Sequence, residues 1–379
     1  MTDRTYLDWN ATAPLRPAAR EAVVAALSVV GNPSSVHAEG REARRIVASA
    51  RLEVAALVGA DPRNVIFTSG GAEANVLALA PGACRRLIVS AVEHPSVLAG
   101  GRFAAVERLP VDADGRADLA ALERRLAELH AAGERALVSL MAANNETGVV
   151  QPVAAAAAIV HRFAGLLHVD AVQAAGRMPL DIEALDADLL TLSAHKLGGP
   201  KGAGALVRRD EEVELVPLVT GGGQEARLRA GTENVAAIAG FGAAAAAVEL
   251  AAESAHMRAL QRRLEDGLRA ATPQAVIFGA SVDRLPNTTL VALPGGKAET
   301  LVIACDLAGV AVSSGSACSS GKVAPSHVLA AMGVEPALAR AALRLSTGPA
   351  TAETDIDRFL AVWRNLAESL SKEGQGLAA

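Results

Sequence analysis

Six short runs of β-branched and aliphatic residues punctuate this 379-residue chain: VIFT (65–68), RLIVS (86–90), ALVSLM (136–141), LLHV (166–169), DLLTLS (188–193) and GALVRR (204–209). Longer stretches with helical periodicity separate them. Runs this short and this continuously apolar are strands buried on both faces, and helices between successive strands put a helical layer on each side. The alternation therefore predicts an α/β fold with a central, mainly parallel sheet. Beyond about Ala251 the rhythm changes to a long charged helix, strand-like runs NTTLVAL (287–293) and ALRLS (342–346), and a last helix from about Thr351. The expected organisation is a large domain, residues 15–250, and a smaller α+β domain made of residues 1–14 and 251–379.

Composition narrows the function. Hydrophobic residues are 51% of the chain but aromatics only 2%, so the cores must be built from Ala, Val and Leu. A formal net charge of −5 gives no basic field for nucleic acid or an anionic membrane. The longest apolar stretch, VAAIAGFGAAAAAV (235–248), is shorter than the roughly 20 residues of a membrane span and reads as a tightly packed buried helix. Three cysteines, Cys84, Cys305 and Cys318, form no CxxC pair, and the polar start MTDRTYLDWN has no apolar signal core, so a reducing cytoplasm is expected. The histidines show no HExxH or Cys-rich spacing for a metal, and no GxGxxG follows the first strands.

In open α/β sheets, ligands bind beyond the carboxyl ends of the strands. There this chain carries SGGAEA after VIFT, EHPS after RLIVS, NNETG after ALVSLM, DAVQ after LLHV and AHKLGGPKG after DLLTLS. Ser69-Gly70-Gly71 leads into a helix whose first N–H groups, at Gly71, Ala72 and Glu73, would point outward as an anion cradle, although glycine before a helix is common. Asp170 ends an apolar strand, where a carboxylate is costly unless it meets a cation; taken alone it reads more readily as a helix cap. Lys196 beside His195 is, by itself, an ordinary loop pair. In a nearly dry pocket, however, an amine loses its proton readily and can condense with an aldehyde. A phosphate cradle, a buried aspartate for a ring nitrogen and such a lysine together point to pyridoxal 5′-phosphate.

With SAHK, HVDAVQ, EHPS, NNETG and SGSACSSG in place, the chain resembles the cysteine desulfurases of the class V aminotransferase group, fold-type-I pyridoxal-phosphate enzymes. The resemblance runs from YLDWNATAPL (6–15) through GNPSSVH (31–37) to ALRLSTG (342–348). It implies Lys196 as the Schiff-base lysine, Asp170 on the pyridinium nitrogen, Gln173 on the ring hydroxyl oxygen and His94 over the ring face. Ser193 and His195 would join the Gly71–Ala72 backbone at the phosphate, with Thr232 reaching that phosphate from the neighbouring subunit of a homodimer. Arg344 would clamp the substrate carboxylate by two parallel hydrogen bonds, with Asn145 close by. The family commonly has a threonine where this chain has Ala72. The lost hydroxyl is worth roughly 1 to 2 kcal/mol and implies weaker cofactor retention.

The reaction is decided by SSGSACSSG (313–321). Cys318 lies among Ser and Gly and is expected on an exposed, mobile loop, where a thiolate can reach an electrophile and leave with the product. Cys305, in LVIACDL, reads as a core thiol and Cys84 as a non-catalytic loop residue. The resemblance implies that L-cysteine is converted to L-alanine while Cys318 takes the sulfur as a persulfide for an acceptor protein, such as an iron–sulfur scaffold or a thiolation partner. The alternatives on this scaffold are a selenocysteine lyase and a small-amino-acid aminotransferase. A catalytically silent scaffold protein is the alternative of another class.

Overall fold

The computed structural model describes residues 4–315 and 326–376. Seven strands form the main sheet in the order Val65–Thr68, Gly204–Arg208, Leu189–Ser193, Leu166–Asp170, Ala136–Ser139, Arg86–Ser90, Glu107–Leu109. Gly204–Arg208 runs antiparallel to both neighbours, and the remaining pairings are parallel. The carboxyl ends of Leu166–Asp170 and Leu189–Ser193 therefore lie side by side, with Asp170 in register with Thr191. All six apolar runs become strands of this sheet. The edge strand Glu107–Leu109 is an addition; its sequence ERL has one buried apolar residue and gives no periodic signal.

Val235–Ala246 forms the expected buried helix and packs against Pro17–Leu27 and Ala38–Leu57. Small residues permit the close approach: a Cβ at Gly242 would sit 2.5 Å from Ala50 Cα. No single helix among the described residues is long and apolar enough to cross a membrane. The next helix, Leu250–Ala271, turns away by 77° and begins a second region.

That region is built on a four-stranded antiparallel sheet in the order Ser313–Ser314, Ala342–Ser346, Thr288–Ala292, Val276–Ile277. Its core gathers Leu260, Leu264, Val291, Leu343, Phe359 and Trp363, together with Leu7 from the start of the chain. Thr5–Tyr6 pairs in parallel with Val310–Ala311. The chain then crosses to the main sheet: Asn10 N–H donates to Ser346 Oγ at 2.9 Å and Ala13 N–H to His195 O at 2.8 Å. A further apolar cluster, with Val92 and Met141 on one side and Leu290, Val328 and Ala342 on the other, fixes the two sheets against each other.

Candidate active site

A cleft of about 340 Å³ opens where the N-terminal crossing, the carboxyl ends of the main strands and the Ala342–Ser346 strand meet. Lys196, His94, Asp170, Gln173, Ser193, His195, Gly71, Ala72, Asn145 and Arg344 all line it. Their convergence comes from topology, because parallel strands deliver their following loops to one edge of the sheet.

Lys196 closes a short 3₁₀ turn, Ala194–Lys196, directly after the Leu189–Ser193 strand. Its Nζ donates to the carbonyl oxygens of Asn10 at 2.6 Å and Ala11 at 2.9 Å. Asp170 is buried at the end of its own strand. One oxygen accepts from Val172 N–H at 3.0 Å and the other from Asn75 Nδ2 at 2.9 Å. Fully buried Glu93 has its pKa pushed well above the usual carboxylate range by burial and by the nearby Asp170.

The same Asn75 amide donates to Ser96 Oγ at 2.9 Å, and Ser96 Oγ lies 2.7 Å from His94 Nδ1. Ser96 N–H also donates to that nitrogen at 3.2 Å. With two donors on Nδ1, the neutral ring carries its proton on Nε2. Burial pulls the His94 pKa down; Asp170 opposes this, while Lys196 and His327 add to it. His195, 3.2 Å from Thr12 Oγ1, is held at about 4 by burial and by the charges of Lys196, Lys201 and Arg177. Both rings are therefore neutral donors and acceptors at neutral pH.

Gln173 Nε2 donates to Asn10 O at 3.1 Å, and its Oε1 accepts from the buried Arg177 guanidinium. Arg344, buried in its strand, is held from behind: NH2 meets Asp8 Oδ1 at 2.8 Å and NH1 donates to Asn145 O at 3.1 Å. Thr232 is exposed and does not line this cleft. Cys318 lies outside the described residues. Cys305 is fully buried in the Ala298–Leu307 helix and burial pushes its thiol up to about 11; Cys84 is a loop residue but also buried, with its pKa raised by the same cause.

The residues fit pyridoxal 5′-phosphate. The helix Gly71–Ala78 begins behind Gly70, which offers no side chain to cap it, so its first N–H groups face an anion site. The cradle needs glycine, since a Cβ at Gly71 would meet Val172 Cγ2 at 3.0 Å and Ser193 Cβ at 3.4 Å. Asn145 Oδ1 is buried and has no hydrogen-bond partner among the described residues, a group a ligand would satisfy. An amine, a buried carboxylate and an anion cradle in one cleft are the donor set such a cofactor requires.

Asn10, Asn75, Ser96, Arg177 and Asp8 were not legible as site residues. Asn75 sits inside a helical pattern, and Asp8 and Asn10 lie 336 and 186 residues from their partners Arg344 and Lys196, a link that only the tertiary fold makes.

Fold and site together define a fold-type-I pyridoxal-phosphate enzyme. The chain belongs to the aminotransferase class-V family, whose model matches residues 5–359. It is 44% identical to a cysteine desulfurase of Cereibacter sphaeroides, over 97% of both chains. Among solved structures it resembles a NifS-like protein from Rickettsia africae ESF-5, at a TM-score of 0.89 and 34% identity, covering 97% of this chain and 100% of that one. It also resembles SspA in complex with cysteine, at a TM-score of 0.78 and 30% identity, covering 92% and 100%.

Proposed function

We propose that the chain is a cysteine desulfurase that converts L-cysteine to L-alanine and moves the sulfur to Cys318. The observation that carries this reading is the meeting of Lys196, Asp170, His94, Arg344 and the open helix start at Gly71 in one cleft. Relatives named cysteine desulfurase over nearly the whole chain support it.

Bound pyridoxal 5′-phosphate supplies an aldehyde for an amine and an electron sink that weakens bonds around the substrate Cα. The chain's own groups do the rest. Gly71, Ala72, Ser193 and His195 would hold the phosphate, and Asp170, fixed by Asn75 and Val172, would hold the ring nitrogen. Lys196 Nζ would hold the cofactor aldehyde and, as a free amine, could take the Cα proton. The Arg344 fork is turned into position by Asp8 and the Asn145 carbonyl and binds the substrate carboxylate. His94, in the same cleft, would flank the ring of the bound group and could donate its Nε2 proton at the substrate sulfur or Cα. The Cys318 thiolate forms a bond to the substrate sulfur as the carbon–sulfur bond breaks toward carbon. Protonation of that carbon, followed by return of a proton to Cα, gives alanine, and Cys318 is left as a persulfide.

The persulfide sulfur passes to an acceptor protein, an iron–sulfur scaffold or a thiolation partner, in the cytoplasm. The enzyme works as a homodimer in which exposed Thr232 serves the partner's phosphate site. The resemblance supports these assignments. The test is incubation of the purified holoenzyme with L-cysteine and a reductant, with no keto acid present. Equal amounts of alanine and sulfide are expected; pyruvate, or no alanine, would overturn the reading.

A further inference from the structure

Glu146, in the NNETG turn, is buried beside the cleft and is used by none of the steps above. Its Oε2 accepts from Ser326 Oγ at 2.6 Å. The same oxygen faces Gly315 so closely that a Cβ there would lie 2.8 Å from it. Gly315 and Ser326 are the described residues on either side of the segment that carries Cys318. One carboxyl group therefore accepts a hydrogen bond from the residue on one side of the stretch bearing the proposed sulfur acceptor and crowds the glycine on the other.

Each contact is tied to the scaffold. Glu146 N–H donates to Asn144 Oδ1 at 2.9 Å, and Asn144 Nδ2 donates to Val92 O at 2.9 Å, so the turn is fixed to the main sheet. Ser326 Oγ accepts from Leu329 N–H at 3.0 Å as the cap of the His327–Ala331 helix, while its proton goes to Glu146. Gly315 follows Ser313–Ser314, which pairs with Arg344 and Leu343 of the strand bearing the carboxylate clamp. The next residue to Glu146, Asn145, gives its carbonyl to Arg344. Burial pushes the Glu146 carboxyl up to about 7, with Ser326 and the Arg344 charge pulling the other way. A buried carboxyl is expensive unless its partners repay it, and a methyl-bearing apolar side chain would fill this space without that cost. The retained carboxyl has a task of position.

We propose that Glu146 is a positioning residue for sulfur transfer: it bonds Ser326 to the turn that also holds Arg344 and backs Gly315 against the same turn, so that the two residues flanking the stretch with Cys318 keep a fixed separation. This rests on the desulfurase reading above. Small misplacements of a reacting group are costly in rate, so the effect belongs to the transfer step and not to substrate binding.

The test compares holoenzyme carrying Glu146→Ala with Glu146→Gln, an isostere that still accepts from Ser326. Hydrogen exchange in the resting holoenzyme, before any substrate, is expected to rise at 313–315 and 326–330 in Glu146→Ala and to stay near wild type in Glu146→Gln. In single turnovers with L-cysteine, persulfide formed on Cys318, followed by mass spectrometry, is expected to slow by about tenfold or more in Glu146→Ala, with KM within about twofold and the amide variant largely rescued. Unchanged exchange at both anchors in Glu146→Ala would overturn the proposal whatever the activity. So would a wild-type transfer rate, or a raised KM at unchanged kcat, which would mean that Glu146 acts through Arg344. Absence of the persulfide in wild type would sink the desulfurase reading instead, while the exchange result still judges the anchoring.

Discussion

Ala72 lines the cleft at the start of the Gly71–Ala78 helix, where backbone N–H groups would hold a phosphate and its methyl group adds no hydroxyl to them. Ala72→Thr is therefore expected to tighten cofactor retention by about 1 to 2 kcal/mol, seen as slower loss of visible absorbance on dialysis; equal loss from both proteins would contradict it. Cys318→Ser is expected to keep that absorbance but lose alanine and sulfide production, whereas Cys305→Ser is expected to keep both, since its thiol is buried and its pKa is raised to about 11. Sulfide release at the wild-type rate by Cys318→Ser would remove Cys318 from the reaction. Lys196, Asp170 and the Gly70-Gly71 turn were legible because each follows directly on an apolar strand, so their place at one sheet edge is a matter of local order. The groups that orient them were not: Asn75 is one polar residue in a helix, and the Asn10 and Ala11 carbonyls that grip Lys196 belong to backbone, which carries no residue-type signal.

The strands were legible to within a residue or two because both faces of the main sheet are covered, which leaves unbroken apolar runs. Ala136–Ser139 stops short of the ALVSLM run, yet its hydrogen bonding continues as Leu140 N–H meets His168 O and Ala142 N–H meets Asp170 O. Glu107–Leu109 escaped because an edge strand with a solvated side needs little apolar sequence. Across the centre of the sheet His168 is fully buried, with Nδ1 2.8 Å from Ser139 Oγ and Nε2 2.9 Å from Thr191 Oγ1. Burial lowers its pKa from 6.5 to about 4, so the folded state binds its proton more weakly than the unfolded chain does. This contribution is complete above the unfolded value and is lost as pH falls from 6.5 toward 4, amounting to about 3 kcal/mol. Denaturant titrations at pH 7 and pH 4.5 are expected to show a smaller difference for His168→Gln than for wild type; an equal difference would contradict the assignment. At the packing of the Val235–Ala246 helix, Gly242→Val must push Ala50 backbone away and is expected to cost about 2 kcal/mol or more, read as a lowered denaturation midpoint.

For the whole molecule we propose the division into residues 15–250 and residues 1–14 with 251–379, on the strength of the separate core that joins Leu7 to the C-terminal helices. The crossing at Asn10 and Ala11 makes this division part of the chemistry, because the N-terminal segment brings to Lys196 its carbonyl partners and to Arg344 its carboxylate. If Thr232 serves the partner's phosphate, mixing Thr232→Ala protein with inactive Lys196→Ala protein creates dimers with one complete site. Cofactor retention above that of Thr232→Ala alone is expected after subunit exchange, and no gain would contradict the shared site. Everything turns on the amine at Lys196. Holoenzyme reduced with borohydride, digested and analysed by peptide mass is expected to carry the pyridoxyl phosphate group on Lys196 alone; a label on another lysine such as Lys201, or on none, would contradict the account.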